Sequence, residues 1–236
     1  MDLWRAGLRV VPNAVWRDTG QRVLILADNE LAEIPPDIAR LRHLHTLDLG
    51  HNRLTAVPPE LGSLPELTGC LYLHENRITG LPDTLGALDR LTYLNVGDNP
   101  LGQLPAALGG MASLVELRAQ RCGLRELPAA VGDLGALREL WLRGNRLTGL
   151  PGSVSRLREL RELELRENEL TAVPDALRDL PLLRRLDLRA NRIAGLPGWL
   201  PELPALERLD LRWNPLGAEP APVLGRLRDR GVFVLT

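Results

Sequence analysis

Leucine and asparagine recur along this chain at a spacing of 23 residues. A Leu-x-Leu pair, or a close apolar equivalent, precedes these asparagines, and the pattern x-Leu-x-x-Leu-Pro-x-x-Leu follows them. Cys122 takes the one position of this series that lacks asparagine, and a single step is 24 residues long. Together these positions are called the ladder residues below: Asn29, Asn52, Asn76, Asn99, Cys122, Asn145, Asn168, Asn191 and Asn214. A unit repeated this often predicts a stack of similar coils.

The spacing within one unit predicts its local structure. Alternating leucines place two apolar side chains on one face of a short strand and a variable residue on the other. The proline ends the extended segment and favours a helical turn. The ladder asparagine can donate to and accept from the backbones of adjacent coils. One coil cannot bury its leucines alone, whereas a stack shares a continuous core.

The pattern resembles the leucine-rich repeat with 23-residue units, as found in stand-alone bacterial-type and Ras-associated-type interaction scaffolds. The resemblance implies an α/β leucine-rich repeat solenoid. Its curved, parallel β-sheet would line the concave face, and short helices or helical turns would form the convex face. It also implies a protein-binding or peptide-binding module that works as a scaffold through the concave sheet.

The repeat pattern continues into both ends of the chain, but fewer of its positions carry the expected residues there. Asp18 and Gln21 fill leucine positions of the first coil, which is therefore degenerate. Near the other end, residues 222–230 predict a helix that stops at Gly231, followed by a strand at 232–235. A single domain is expected over 1–236, with an N-terminal cap coil at 1–22, regular repeats at 23–214 and a C-terminal cap at 215–236.

Charge and cysteine content restrict the kinds of partner. All 29 basic residues are arginine, and 30 acidic residues leave a net charge of -1. This balance argues against nucleic acid or an anionic membrane surface as the partner, because both select a basic excess. No apolar run approaches the roughly 18 residues of a membrane span. The two cysteines, Cys70 and Cys122, are predicted to stay unpaired, which favours a cytoplasmic location.

Function is expected in the variable positions of the strands, which lie six, four and two residues before each ladder residue. In the first half of the sheet these positions gather the rare aromatic and histidine residues of the chain. Exposed aromatic side chains beside polar groups are typical of binding sites, although they also suit a strand surface. The residues of this predicted concave patch are Asp48, His51, Tyr72, His74, Tyr93, Asn95, Arg118 and Trp141.

The second half of the sheet predicts a secondary charged surface. Four arginines stack there in one column beside a column of carboxylates: Arg143, Arg166, Arg189 and Arg212. Such a surface can dock a charged partner, and it can equally be a solvated surface that neutralises itself.

Two alternatives accompany the binding hypothesis, and one irregularity of the repeat lies beside the predicted patch. An enzyme, metal or small-ligand site is conceivable around Asp48, His51, Cys70, Tyr72 and His74, although no catalytic residue, metal ligand or cofactor is assigned. The extra residue of the 24-residue coil predicts either a β-bulge at Gly69–Cys70, next to this patch, or an insertion that is tolerated at the strand entrance. Docking on the convex face would instead use Trp199, which is expected to face solvent.

Overall fold

The computed structural model describes residues 1–217 and 220–236. Within them, ten three-residue strands form one parallel sheet in chain order, and the Leu-x-Leu register is kept from strand to strand. The predicted leucine-rich repeat solenoid is therefore confirmed. The strands are β1 Val23–Ile25, β2 Thr46–Asp48, β3 Cys70–Tyr72, β4 Tyr93–Asn95, β5 Glu116–Arg118, β6 Glu139–Trp141, β7 Glu162–Glu164, β8 Arg185–Asp187, β9 Arg208–Asp210 and β10 Phe233–Leu235.

The convex side consists of short 3₁₀ turns, most of them entered directly from a proline. The extended φ and ψ of that proline end the preceding segment, and the following residues begin the turn. Leucines from both sides of each coil fill one continuous core. The turns span Pro36–Arg40, Pro59–Ser63, Asp83–Ala87, Ala106–Gly110, Ala129–Asp133, Gly152–Arg156, Asp175–Leu177 and Leu200–Glu202.

The C-terminal elements follow the sequence prediction. Helix α1 spans Ala221–Asp229 and is followed by Gly231, whose φ of 81° ends the helix in the left-handed region. β10 then pairs in parallel with β9. At the other end, Asp2 forms a parallel bridge with Ile25. None of the helices within the described residues is long and apolar enough to cross a membrane.

The asparagine ladder joins each coil to the one before it. In Asn52, Nδ2 donates to the Leu26 carbonyl of the preceding coil, and Oδ1 accepts from the Leu31 amide. Cys122 replaces part of this pattern, because its Sγ donates to the Val96 carbonyl at 3.3 Å. Burial raises the pKa of Cys122 to about 12, and neither cysteine is in a disulfide.

Replacing Asn145 with alanine is expected to lower the free energy of unfolding by roughly 1–3 kcal/mol, because buried backbone groups lose their partners. Its Nδ2 donates to two carbonyls, those of Ala119 and Leu142, and its Oδ1 accepts from the amides of Cys122 and Leu124. Denaturant unfolding would measure the loss. Asn13→Ala, at an exposed position outside the ladder, is the control, and equal stability of both variants would contradict this account of the ladder.

The residue directly before each ladder residue turns the chain in the left-handed region. His51, Glu75 and Asp98 do so with φ of 52°, 51° and 56°, and Gly144 does so with φ of 70°. Asparagine, aspartate and glycine suit this conformation, whereas β-branched residues do not. The side chains at these turns therefore form a fourth column along one edge of the concave face, beside the three columns predicted from the strand pattern.

Glycines let the convex turns of four successive coils come close together. Gly62, Gly86, Gly109 and Gly132 each stand ten residues after a ladder residue. A Cβ built on Gly86 would lie 2.1 Å from the Ala107 carbonyl oxygen, and the other three positions meet the next coil similarly. The close contact between these turns thus depends on the missing side chain.

The extra residue of the 24-residue coil lies at the entrance of β3, where pairing with β2 begins one residue later than in the other strand pairs. Gly69 already donates to the His45 carbonyl at 3.0 Å, as the equivalent residues of later coils do, and Leu71 pairs in register with Leu47. The insertion is taken up by a tight turn in which the Thr68 amide donates to the Glu66 carbonyl at 2.8 Å. The pair Thr46–Cys70 is missing from the β2–β3 ladder, so the irregularity is confined to the entrance of β3, and a bulge at Gly69–Cys70 stays a prediction.

Trp199 is buried, in contrast to the expectation that it faces solvent. Its side chain reaches back to the preceding coil, where Nε1 donates to Asp175 Oδ1 at 3.0 Å, and it joins the apolar core with 9% of its surface exposed. A convex docking site centred on this ring is therefore wrong.

Candidate functional site

The concave patch predicted from sequence forms a continuous surface across β2 to β6. The rings of Tyr72 and Tyr93 lie 4.9 Å apart at a tilt of 44°. Burial raises the pKa of the Tyr72 phenol to about 12, with a further contribution from Cys70, which stands half-buried at the start of the same strand. Both phenols are therefore neutral hydrogen-bonding groups at neutral pH.

Arg118 connects the tyrosines to Trp141. Its guanidinium carbon lies 5.1 Å from the centre of the Trp141 ring and 5.8 Å from that of Tyr93. Its Nε donates to Glu116 Oε1 at 2.5 Å, which fixes the guanidinium between the two rings. Trp141 is half-buried and leaves part of its ring open to the concave side.

His74 covers the backbone of the neighbouring coil. A Cβ on Gly50 would lie 2.4 Å from His74 Cε1, so the missing side chain makes the space in which the imidazole lies. The ring meets that of His51 edge-on, with the centroids 5.0 Å apart. Burial, with a smaller effect of His51, lowers the pKa of His74, so this ring is neutral at neutral pH.

Two of the predicted site residues hold the backbone locally. Asp48 Oδ1 accepts from the Gly50 amide at 2.9 Å, and Asn95 Oδ1 accepts from the Gly97 amide at 3.1 Å. Asn95 is also buried. These two side chains shape the patch and offer less to a partner than the aromatic rings do.

The four arginines of the secondary charged surface all have carboxylate partners. The Arg143–Glu167 pair is the most exposed of the four, and exposed pairs contribute under about 1 kcal/mol each, whereas the other three pairs are more deeply buried. The arrangement supports a surface that neutralises itself. The pairs are Arg143 with Glu167 at 3.2 Å, Arg166 with Glu164 at 3.6 Å, Arg189 with Asp187, and Arg212 with Asp210 at 2.7 Å.

Three glutamates on adjacent strands differ in how far they are neutralised. Glu116 and Glu162 pair with Arg118 and Arg185, at 2.5 Å and 2.8 Å. Glu139 lies between them and accepts only from Trp141 Nε1, at 3.3 Å, among the hydrogen bonds of the described residues. Burial and then the two flanking carboxylates raise the pKa of Glu139. A cation brought beside Glu139 would relieve this repulsion.

A hollow of about 490 Å³ opens on the concave face between Trp141 and Phe233. Its floor includes Asp187, and its far wall includes Arg208, whose guanidinium carbon lies 5.4 Å from the centre of the Phe233 ring. Phe233 is exposed and stands directly beside Arg208 in the β9–β10 ladder. The hollow therefore combines two aromatic walls with charges of both signs.

Family models match the repeats that carry this geometry. The model described as "Leucine rich repeat" matches residues 135–193 and 174–216, and a second model of the same description matches 43–64 and 90–111. The chain is a leucine-rich repeat protein. No curated protein matches the chain significantly.

Solved structures of other leucine-rich repeat proteins have the same fold. A leucine-rich repeat protein from Leptospira interrogans is 28% identical with a TM-score of 0.78, over 97% of this chain and 64% of that one. The functional domain of InlJ from Listeria monocytogenes, which includes a cysteine ladder, is 22% identical with a TM-score of 0.77, over 96% and 46%. The plant peptide hormone receptor RGFR1, solved in complex with RGF2, is 27% identical with a TM-score of 0.52, over 87% and 42%. The chain thus spans less than two thirds of the length of each.

Three contributors to this leucine-rich repeat surface are missed by sequence reasoning. Glu75 and Asp28 belong to the left-handed column, which strand alternation does not reveal. The sequence feature that could have revealed them is the charged residue that stands directly before most of the ladder residues. Phe233 joins the hollow through the register of β10, which no ladder asparagine marks.

Proposed function

We propose that the concave sheet binds a protein or peptide segment, with Trp141 at the centre of the contact. Leucine-rich repeat domains generally serve as interaction scaffolds, and RGFR1 was solved with a partner of this kind, RGF2. The observation that carries the proposal is the position of Trp141, which lies both at the end of the Tyr72–Tyr93–Arg118 row and in the wall of the hollow. One ring thus joins the two surfaces.

The charges favour a partner segment with a cation and an anion. Glu139 lacks a basic partner of its own, and Arg208 has no carboxylate within 4 Å among the described residues. The two positions are three strands apart, which corresponds to about 14 Å. An extended segment of roughly four residues covers this distance, so a basic and an acidic side chain on it would meet Glu139 and Arg208.

The amino-acid composition further supports a protein or peptide as the partner and the cytoplasm as the location that we propose. A net charge of -1 disfavours nucleic acid and anionic membranes, and two unpaired cysteines fit a cytoplasmic setting. The paired arginines Arg189 and Arg212 would contribute to association rate more than to affinity.

Peptides selected from a random display library on the folded chain should lose affinity when Trp141 or Glu139 is replaced. Trp141→Ala is expected to cost at least about 2 kcal/mol of binding free energy, as aromatic residues at interface centres do. Glu139→Gln should weaken peptides with a basic residue and spare those without one. Titration calorimetry measures both effects.

Glu126→Gln is the matched control, because this exposed glutamate lies outside the strands. Tyr72→Ala shows whether the contact extends into the first half of the patch. Selected peptides that bind Trp141→Ala and Glu139→Gln as tightly as the parent would refute the concave site.

A further inference from the structure

We propose that His51, His74 and Glu75 form a binding site for a divalent transition-metal ion, with Zn²⁺ as the preferred occupant. One ligand atom from each residue lies within 4.8 Å of the other two. This site does not rest on the proposed peptide contact, because metal binding is measured on the chain alone.

The three ligand atoms lie within 4.8 Å of one another, so each distance is within about 1.5 Å of the spacing around a zinc ion. Tetrahedral zinc with bonds of 2.0–2.1 Å places its ligand atoms about 3.3 Å apart. His51 Nδ1 and Glu75 Oε2 are already 2.9 Å apart. Both side chains are about half exposed, at 43% and 50%, so they can rotate toward the ion without disturbing the core.

The backbone holds two of the ligands in equivalent positions. His51 and Glu75 occupy the left-handed turn of adjacent coils, with φ of 52° and 51°. The backbone amide of each donates a hydrogen bond to a carbonyl of the next coil. Their side chains therefore leave the backbone in the same direction, one coil apart. Hydrogen bonds to the following strand fix that spacing.

His74 supplies a ring that is free to coordinate. It makes no side-chain hydrogen bond among the described residues, and its buried Nδ1 has no partner. The neutral imidazole is the form that binds metals. Gly50 holds the ring beside His51, because any larger residue there would occupy its place.

The donor set selects the class of ion and leaves one position open. Two imidazoles and one carboxylate suit Zn²⁺, whereas Mg²⁺ and Ca²⁺ prefer all-oxygen sites. Asp28 Oδ1 lies 3.9 Å from His51 Nδ1, but that carboxylate already accepts from Trp4 and Arg5. A water or a partner's side chain would complete the coordination, as in zinc sites with three protein ligands.

Equilibrium dialysis of the tag-free chain against Zn²⁺ tests the site, and the absorption spectrum of bound Co²⁺ reports its geometry. One ion per chain with a tetrahedral Co²⁺ spectrum is expected. His74→Gln and Glu75→Gln should each lower the affinity at least about tenfold. Gly50→Ala keeps all three ligands but displaces the His74 ring, and it should weaken binding as well.

His43→Gln is the control, because His43 also pairs with a glutamate, Glu66, at 3.2 Å but lies outside the three-residue cluster. Its affinity for Zn²⁺ should equal that of the parent. Circular dichroism of each variant establishes that the fold is kept. Absence of a bound ion, or equal affinity of His74→Gln, Glu75→Gln and the parent, would overturn the proposal.

Discussion

Replacing Trp199 with alanine is expected to lower the free energy of unfolding by about 3–5 kcal/mol, as for other buried large aromatic residues. The indole fills space between two coils and loses its hydrogen bond to Asp175 in the variant. Trp199→Phe keeps most of the packing and should lose only about 1 kcal/mol. Denaturant unfolding monitored by circular dichroism measures both losses.

Trp213→Ala is the matched control for this change. Trp213 is 69% exposed, so its removal opens no cavity, and a change within about 0.5 kcal/mol is expected. If Trp199→Ala were as stable as Trp213→Ala, the burial of Trp199 described above would be refuted.

Replacing Gly86 with alanine is expected to lower the free energy of unfolding by about 3 kcal/mol, at the upper end for overpacking. The new methyl group would meet the carbonyl oxygen of Ala107, a backbone atom that can move only if the neighbouring coil moves. Chemical denaturation again provides the measurement.

Gly135→Ala separates this clash from the general effect of removing a glycine. A Cβ at Gly135 has no atom within 4 Å, so the free energy of unfolding of this variant should stay within about 0.5 kcal/mol of the parent value or rise slightly. Gly86→Ala and Gly135→Ala of equal stability would show that the convex turns can separate without cost.

The asparagine ladder made the strands predictable, because Leu-x-Leu at a fixed distance from each asparagine defines both the strand and its inward face. Burial of Trp199 was not predictable in this way. Its position in the repeat is filled by Ala130 or Ser153 in other coils, so the pattern gives no sign that a large ring turns back to Asp175. The direction in which the Trp199 side chain points depends on packing between neighbouring coils, which the repeat pattern does not contain.

The concave patch was partly predictable for a similar reason. Alternation along each strand identified Tyr72, Tyr93 and Trp141 as residues of one face, and the structure brings them into one row. The contribution of Glu75 depends on a left-handed turn, and the hollow depends on the register of β10. Neither feature follows from the alternation of inward and outward side chains along a strand. The role of the patch in binding stays a proposal.

The glycine column on the convex side also controls how the solenoid can bend. Gly62, Gly86, Gly109 and Gly132 allow close contact between the outer turns, which predicts a shorter outer circumference and a flatter sheet in front of them. Ser155 and Arg178 occupy the same position in later coils, where a side chain must fit between the turns. The curvature of the stack is therefore expected to depend on the residue at this position in each coil, on the side opposite the sheet. Substitutions in that column would widen or narrow the spacing between concave side chains without altering any residue of the sheet itself.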